Sequence, residues 1–295
     1  MRIIKKIKEK RIPHFLKNFL LFLIIIFLLD YSIGSLLRYF YFKQSSGLLY
    51  RTTYAMDSTR AEVVIFGSST ANHHYYPKLF EDRLQMSAYN AGRDGNGIFY
   101  HTSILKCILK RYSPKIAILD LSTEEFNKDQ ESYDRISSLL PYYDSHPEIH
   151  SIIQLKSPYE KYKLLSKIYP FNSLIFTIAI GNTNYNKNRE TTNDENGYLP
   201  IKRIWNRPIA TYSFPKMELD TNKINSYRIF IRDCINSNVR LYIIISPRFV
   251  KYLGRSSSIA TASQIANEFK IPFYNFSNCA DFINHQEFFA NVLHL

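Results

Sequence analysis

The run Val63-Val64-Ile65-Phe66-Gly67-Ser68-Ser69-Thr70 carries the first decision about this chain. Four apolar residues, three of them β-branched, stop at one glycine and two serines. A run this short that is apolar at every position, rather than at alternate ones, fits a strand buried on both faces. Glycine and serine then supply the turn that leaves it. Outward from this point the same theme recurs. Residues 87–90 form a second short run that ends in Asn90-Ala91-Gly92-Arg93-Asp94-Gly95. Residues 116–121 form a third, residues 239–245 a fourth closed by Ser246-Pro247, and residues 272–276 a fifth.

Helical periodicity fills the intervals. Leu105, Ile108, Leu109 and Tyr112 share one helix face, as do Ile224, Tyr227, Ile231 and Cys234. Pro114 stops the first of these helices. Residues 76–84 and 259–269 also read as helix, and residues 133–180 as mostly helical. Residues 181–199 are rich in asparagine and poor in apolar side chains, which predicts a surface loop. Strands alternating with amphipathic helices predict an α/β fold, a three-layer parallel sheet flanked by helices, spanning residues 61–295. In such sheets function gathers at the carboxyl ends of the strands, where the polar turns lie.

The N-terminus reads differently. Residues 1–18 hold seven basic side chains against the single acid Glu9. Every residue from Phe19 to Leu29 is apolar, Asp30 interrupts, and the apolar character resumes to Leu37. Together residues 19–37 make 19 positions, close to the ~20 that span a bilayer as helix. Tyr39, Phe40, Tyr41 and Phe42 follow as an aromatic belt would, and residues 38–60 read as a connector. A retained anchor is favoured over a cleaved signal peptide, because bulky Leu36, Leu37 and Arg38 stand where small residues would permit cleavage. The basic end should remain in the cytoplasm and the domain should face the periplasmic or extracellular side. Asp30 is expected to reach the outer interface.

Composition narrows the function classes. With 45% hydrophobic and 15% aromatic residues the chain can bury a sizeable core, which excludes global disorder. Of the net charge of +13, residues 1–17 supply +6 and the rest forms no stripe, so the charge reads as membrane topology and not as a nucleic-acid surface. Cys107, Cys234 and Cys279 fit no metal knuckle, and no cofactor is implied. Cys107 and Cys234 read as small buried hydrophobes.

The chemistry-bearing candidates sit at the predicted strand ends. Ser69, just past a strand and before a helix, would project its hydroxyl into a crevice beside backbone N–H groups able to hold an oxyanion. Gly95 closes the second turn, where another N–H can approach the same point, and His294 is a candidate general base. His73 and His74 read as hydrogen-bonding or substrate-lining neighbours, and Tyr142 and Tyr143 as packing residues. Asp94 and Glu125 either line the crevice or lie on solvated surface.

These motifs, in this order, resemble the SGNH/GDSL hydrolase superfamily in its membrane-anchored bacterial form. Gly67-Ser68-Ser69 is similar to the first block, with Ser69 as nucleophile; Asn90–Gly95 is similar to the second, with Gly95 as oxyanion donor; Asn291-Val292-Leu293-His294 is similar to the fifth, usually Asp-x-x-His. The resemblance covers residues 60–295 and implies a flavodoxin-like fold and serine esterase or O-acyltransferase chemistry without a cofactor. It implies acylated, chiefly acetylated, glycans of the envelope or small esters as substrates. Three departures accompany it. The third strand runs into Leu121-Ser122-Thr123, so Thr123 stands where the family has an asparagine oxyanion donor. Asn291 replaces the aspartate that orients the histidine. The family's closing helix after the histidine has no counterpart before Leu295, so His294 is expected to be loosely held. These departures keep open a second reading, a degenerate domain acting as a binding or scaffold subunit of an envelope polysaccharide machine.

Overall fold

The computed structural model describes residues 2–183 and 196–295, with side chains from residue 13 onward. Twelve helices punctuate it: α1 (Arg2–Phe42), α2 (Gly47–Asp57), α3 (Ser69–His74), α4 (Pro77–Leu84), α5 (Ile98–Leu109), α6 (Gln130–Arg135), α7 (His150–Lys156), α8 (Glu160–Lys163), α9 (Ile175–Gly181), α10 (Thr221–Asn236), α11 (Ser257–Glu268) and α12 (Ala280–Ile283). The strands are β1 (Val63–Gly67), β2 (Ala88–Asn90), β3 (Ile116–Asp120), β4 (Ala210–Ser213), β5 (Arg240–Ile245), β6 (Val250–Leu253) and β7 (Phe273–Asn275). Five strands form one parallel sheet in the order β2-β1-β3-β5-β7.

β1 and β3 are buried along their whole length, as their unbroken apolar runs require. Successive side chains point to opposite faces and so feed two cores. Val64 and Phe66 join Ala117, Leu119, Leu241 and Ile243 in the larger, under α5 and α10. Val63 and Ile65 join Ile116 and Ile118 in the smaller, against Ala71 of α3 and Phe80 of α4. The order in which strands are added reverses between β1 and β3, so the carboxyl ends of these parallel strands flank a crevice.

Several expectations change. Residues 133–180 are helical only in pieces, α6 to α9 separated by 3-10 turns. The short parallel pair β4 and β6 carried no strand signal, since β4 is exposed along its length and lacks an apolar pattern. Most of the asparagine-rich stretch, residues 184–195, lies outside the described residues.

The segment read as a connector does structural work. α1 continues to Phe42, and α2 buries Leu49, Ala55 and Met56 in the main core. Tyr142, a packing residue as expected, is fully buried, and its hydroxyl bonds Tyr41 at 3.1 Å and Thr53 at 2.7 Å. α1 itself holds one stretch, Pro13–Phe42, that is long and apolar enough to cross a membrane, longer at both ends than residues 19–37. Asp30 is bonded to the domain. Its carboxylate accepts from Ser166 Oγ at 2.5 Å, Lys167 N at 2.7 Å and Ile168 N at 3.3 Å.

If α2 belongs to the core, Met56→Ala removes a fully buried side chain and should destabilise the protein by about 2–5 kcal/mol. Denaturant unfolding of the full chain in detergent measures this. A loss within about 0.5 kcal/mol of zero, as on an exposed linker, would contradict the packing.

Candidate functional site

The Gly67-Ser68-Ser69 turn leaves the sheet where Gly67 of β1 pairs in register with Asp120 of β3. Gly67 has φ +153°, and a Cβ there would meet Ala71 Cβ at 2.6 Å and Asp120 O at 2.7 Å, so only glycine fits. Ser69 opens α3, half-buried, and among the described residues its Oγ has no hydrogen-bond partner. Its own N–H stands at the first position of the helix, where no intrahelical acceptor exists.

The second turn is clamped to the first. Asn90, fully buried, donates to Ala71 O at 2.7 Å and Tyr75 O at 2.9 Å and accepts from Gly92 N at 2.9 Å. Arg93 N donates to Gly67 O at 3.0 Å, and Asn72 Nδ2 to Asp94 Oδ1 at 2.7 Å. Gly95 is exposed with φ +69°, and among the described residues its N–H has no partner.

Three histidines gather beside these turns. His73 lies one helical turn beyond Ser69 on α3. Its Nδ1 bonds Leu199 O at 2.7 Å and its Nε2 bonds Asp94 Oδ2 at 3.3 Å. Asp94 is therefore half of an ion pair, though its side chain is 55% exposed. Burial pulls the His73 pKa down, but the Asp94 and Leu199 bonds outweigh it and hold the imidazole above its ordinary value. Burial likewise pushes Asp94 up, and the His73 and Asn72 bonds bring it below the usual carboxylate range. His294 packs its ring 4.8 Å from that of His73 and 6.0 Å from that of His74. Both of its ring nitrogens are sealed from solvent without a partner. Burial first, then neighbouring His73, pushes its pKa down to about 4, so it is neutral at pH 7. His74 is pushed down to about 3, by burial and then by His294.

The C-terminal turn corrects two expectations. His294 is tied down: its carbonyl accepts from Ala290 N at 2.9 Å, Leu295 N donates to His74 Nε2 at 3.0 Å, and Val292 O accepts from Phe249 N at 2.9 Å. Asn291 does not orient the imidazole. Its Oδ1 accepts from Leu293 N at 2.8 Å and His294 N at 3.1 Å. A short amide side chain reaches the backbone two and three residues ahead more readily than a ring that points away. Among the described residues no hydrogen bond joins His294 to Ser69.

Thr123 is buried where its carbonyl accepts from Ser256 Oγ at 2.7 Å, the N-cap of α11, and no described contact brings it to the Ser69 turn. The residue at the β3 end is Asp120, which the sequence reading missed. It pairs in register with Gly67 and is buried. Its Oδ1 accepts from Thr70 Oγ1 at 3.0 Å, its Oδ2 accepts from Ser246 Oγ, and Tyr75 OH lies 3.0 Å from Ser246 Oγ. Burial pushes Asp120 up to about 6 against the pull of those hydrogen bonds. An acid closing an otherwise apolar strand was the available signal. Glu125 neither lines the crevice nor lies in solvent. It caps α5, accepting from Ile98 N at 2.7 Å, and burial raises its pKa.

Among the described residues, one group has metal-ligand chemistry. Cys107, His146 and Glu148 bring ligand atoms within 4.8 Å of one another. Both imidazole nitrogens already face carboxylates, Glu148 at 2.8 Å and Asp57 at 2.9 Å, and Lys110 bonds Glu148 at 3.0 Å. The cluster is a closed ion-pair network and needs no ion to satisfy its polar atoms.

Compared with family models and with curated proteins, the chain matches none.

His74 gives the site a pH signature. Its folded pKa lies below its unfolded value of 6.5, so the unfolded chain takes up a proton first as pH falls. Stability is full above about 6.5 and is lost towards about 3. Between pH 7 and 5 this one group should cost about 2 kcal/mol. His74→Gln keeps an acceptor for the Leu295 N–H and cannot protonate. Urea unfolding at the two pH values should show a smaller loss in the variant. Identical losses would mean that His74 is not held neutral.

Proposed function

We propose that this protein is a membrane-anchored SGNH/GDSL-type serine esterase or O-acyltransferase acting on ester groups, chiefly acetyl, of envelope or exported glycans. One observation carries the reading. A half-buried serine with a free hydroxyl opens α3 at the carboxyl end of β1, and against His73, one turn along that helix, packs the neutral imidazole of His294 with both ring nitrogens unpartnered. In this reading Ser69 Oγ attacks the ester carbonyl while His294 takes its proton. The N–H groups of Ser69 and Gly95 hold the oxyanion. The alkoxide leaves with the proton from His294, giving acyl-Ser69. Water or a sugar hydroxyl, deprotonated by His294, then accepts the acyl group and frees the serine. Thr123 takes no part in this scheme, and Asn291 acts only by fixing the turn that carries His294. His73, held by Asp94, orients the His294 ring by packing against it. The ring must rotate towards Ser69 on substrate binding, since catalytic hydrogen bonds are often long before the substrate complex forms.

The anchor sets the location. α1 crosses the cytoplasmic membrane with the basic segment inside and the domain on the periplasmic or extracellular side. A reporter fused after residue 45 should be active only in its extracytoplasmic form. Activity of a cytoplasm-only reporter would overturn the orientation.

A second reading is favoured by the missing Ser69–His294 bond and the role of Asn291: a catalytically degenerate domain serving as a scaffold subunit. A fluorophosphonate probe separates the two. The wild type should label, Ser68→Ala should label, and Ser69→Ala should not, while His294→Ala should slow labelling by roughly 100-fold or more. A folded wild type that stays unlabelled would leave the scaffold reading.

A further inference from the structure

Segment 159–182 and the upper part of α1 run side by side. The three hydrogen bonds at Asp30 fix the lower end. Just above, Gly34 meets Lys167 so closely that a Cβ would run into the Lys167 carbonyl carbon. At the upper end Asn182 Nδ2 donates to Phe40 O at 2.9 Å. The segment therefore climbs α1 from Asp30 to Phe40, a rise of about 15 Å.

Over that rise the free face of α1 is mostly apolar: Tyr31, Ile33, Leu36 and Tyr39 are exposed, with Ser32 and Ser35 among them. The outward side of the climbing segment is apolar at the same height. Leu165 is 75% exposed and Phe176 84%, with Ile175 and Ile180 exposed beside them. Large apolar side chains this bare, contiguous with the face of an apolar helix, mark a surface that water does not normally cover.

Length settles what covers it. The uninterrupted apolar run of residues 19–29 spans only about 16 Å, half of a hydrocarbon core of about 30 Å. To complete a crossing, α1 must use residues 31–37, and those residues carry the packed segment into the bilayer with them. We propose that residues 159–180 form a lipid-facing shelf, seated in the leaflet on the domain's side of the membrane. Leu165, Ile175, Phe176 and Ile180 meet acyl chains there. Asp30 and the polar Ser166–Lys167 backbone satisfy one another at that depth, so neither is left bare in lipid. The shelf rests on the reading of α1 as a membrane span, and the two can fail separately.

The test uses the full chain in vesicles of phosphatidylethanolamine and phosphatidylglycerol, with Cys279→Ser as background because Cys107 and Cys234 are buried. Single nitroxide labels go on Leu165→Cys and Phe176→Cys. Leu23→Cys on α1 and Leu79→Cys on α4, both at exposed positions, serve as references. Accessibility to oxygen and to a water-soluble nickel chelate is read by power saturation. The shelf labels should resemble Leu23→Cys, with several-fold lower access to the chelate than Leu79→Cys and higher access to oxygen. Shelf labels that match Leu79→Cys while Leu23→Cys stays protected overturn the shelf and leave the anchor. A Leu23→Cys label open to the chelate overturns both. Spin–spin broadening at the shelf that vanishes on dilution with unlabelled chain assigns the face to a second copy instead, and also overturns the proposal.

Discussion

A single buried carboxylate, that of Asp120, joins the strand ends on which the candidate site is built. Thr70 from α3 and Ser246 from the end of β5 both donate to it, and Tyr75 closes the ring through Ser246. Its backbone crowds Gly67 from the neighbouring strand, which is why the turn after β1 must begin with glycine. A charge taken out of water survives only if hydrogen bonds replace its solvation. Here they do so partly, leaving a carboxyl whose pKa sits at about 6. The acid therefore draws β1, β3 and β5 together from below and fixes the direction in which α3 leaves the sheet. The position of Ser69 follows from that direction.

Above this floor, three imidazoles share one patch and reach different charge states. His73 pairs with Asp94 and favours the proton. His74 and His294, sealed among themselves, refuse it. A proton on either of these two rings would oppose one on His73. Groups of one chemical type pushed apart in pKa are what acid–base chemistry at neutral pH requires. The same arrangement gives the patch a stability cost on acidification, whatever chemistry it performs.

The docking of α1 follows a parallel logic at the other end of the molecule. Asp30 looks, along the sequence, like an interruption in an apolar helix. In the fold it is the acceptor for a loop more than a hundred residues away, and it sets how high the domain sits along the helix. Gly34 then permits the contact that a side chain would block.

The sequence by itself determined the elements whose burial is local in origin. Residues 63–66 and 116–121 announced β1 and β3, because a strand covered on both faces must be apolar at each position. The i, i+3, i+4, i+7 pattern located α5 and α10, and the apolar run after residue 18 located α1. Tertiary structure decided the partners. It gave the Asn291 amide to backbone N–H groups instead of the imidazole, bound the Thr123 carbonyl to the cap of α11, and turned Asp120 into the shared acceptor of α3 and the end of β5. It also held His294 in place where loose ends were expected, through His74 and Phe249. Periodicity records only whether a side chain faces water or protein. A hydrogen bond between residues 50 to 220 positions apart depends on where the sheet order brings each strand end, and no local pattern encodes that.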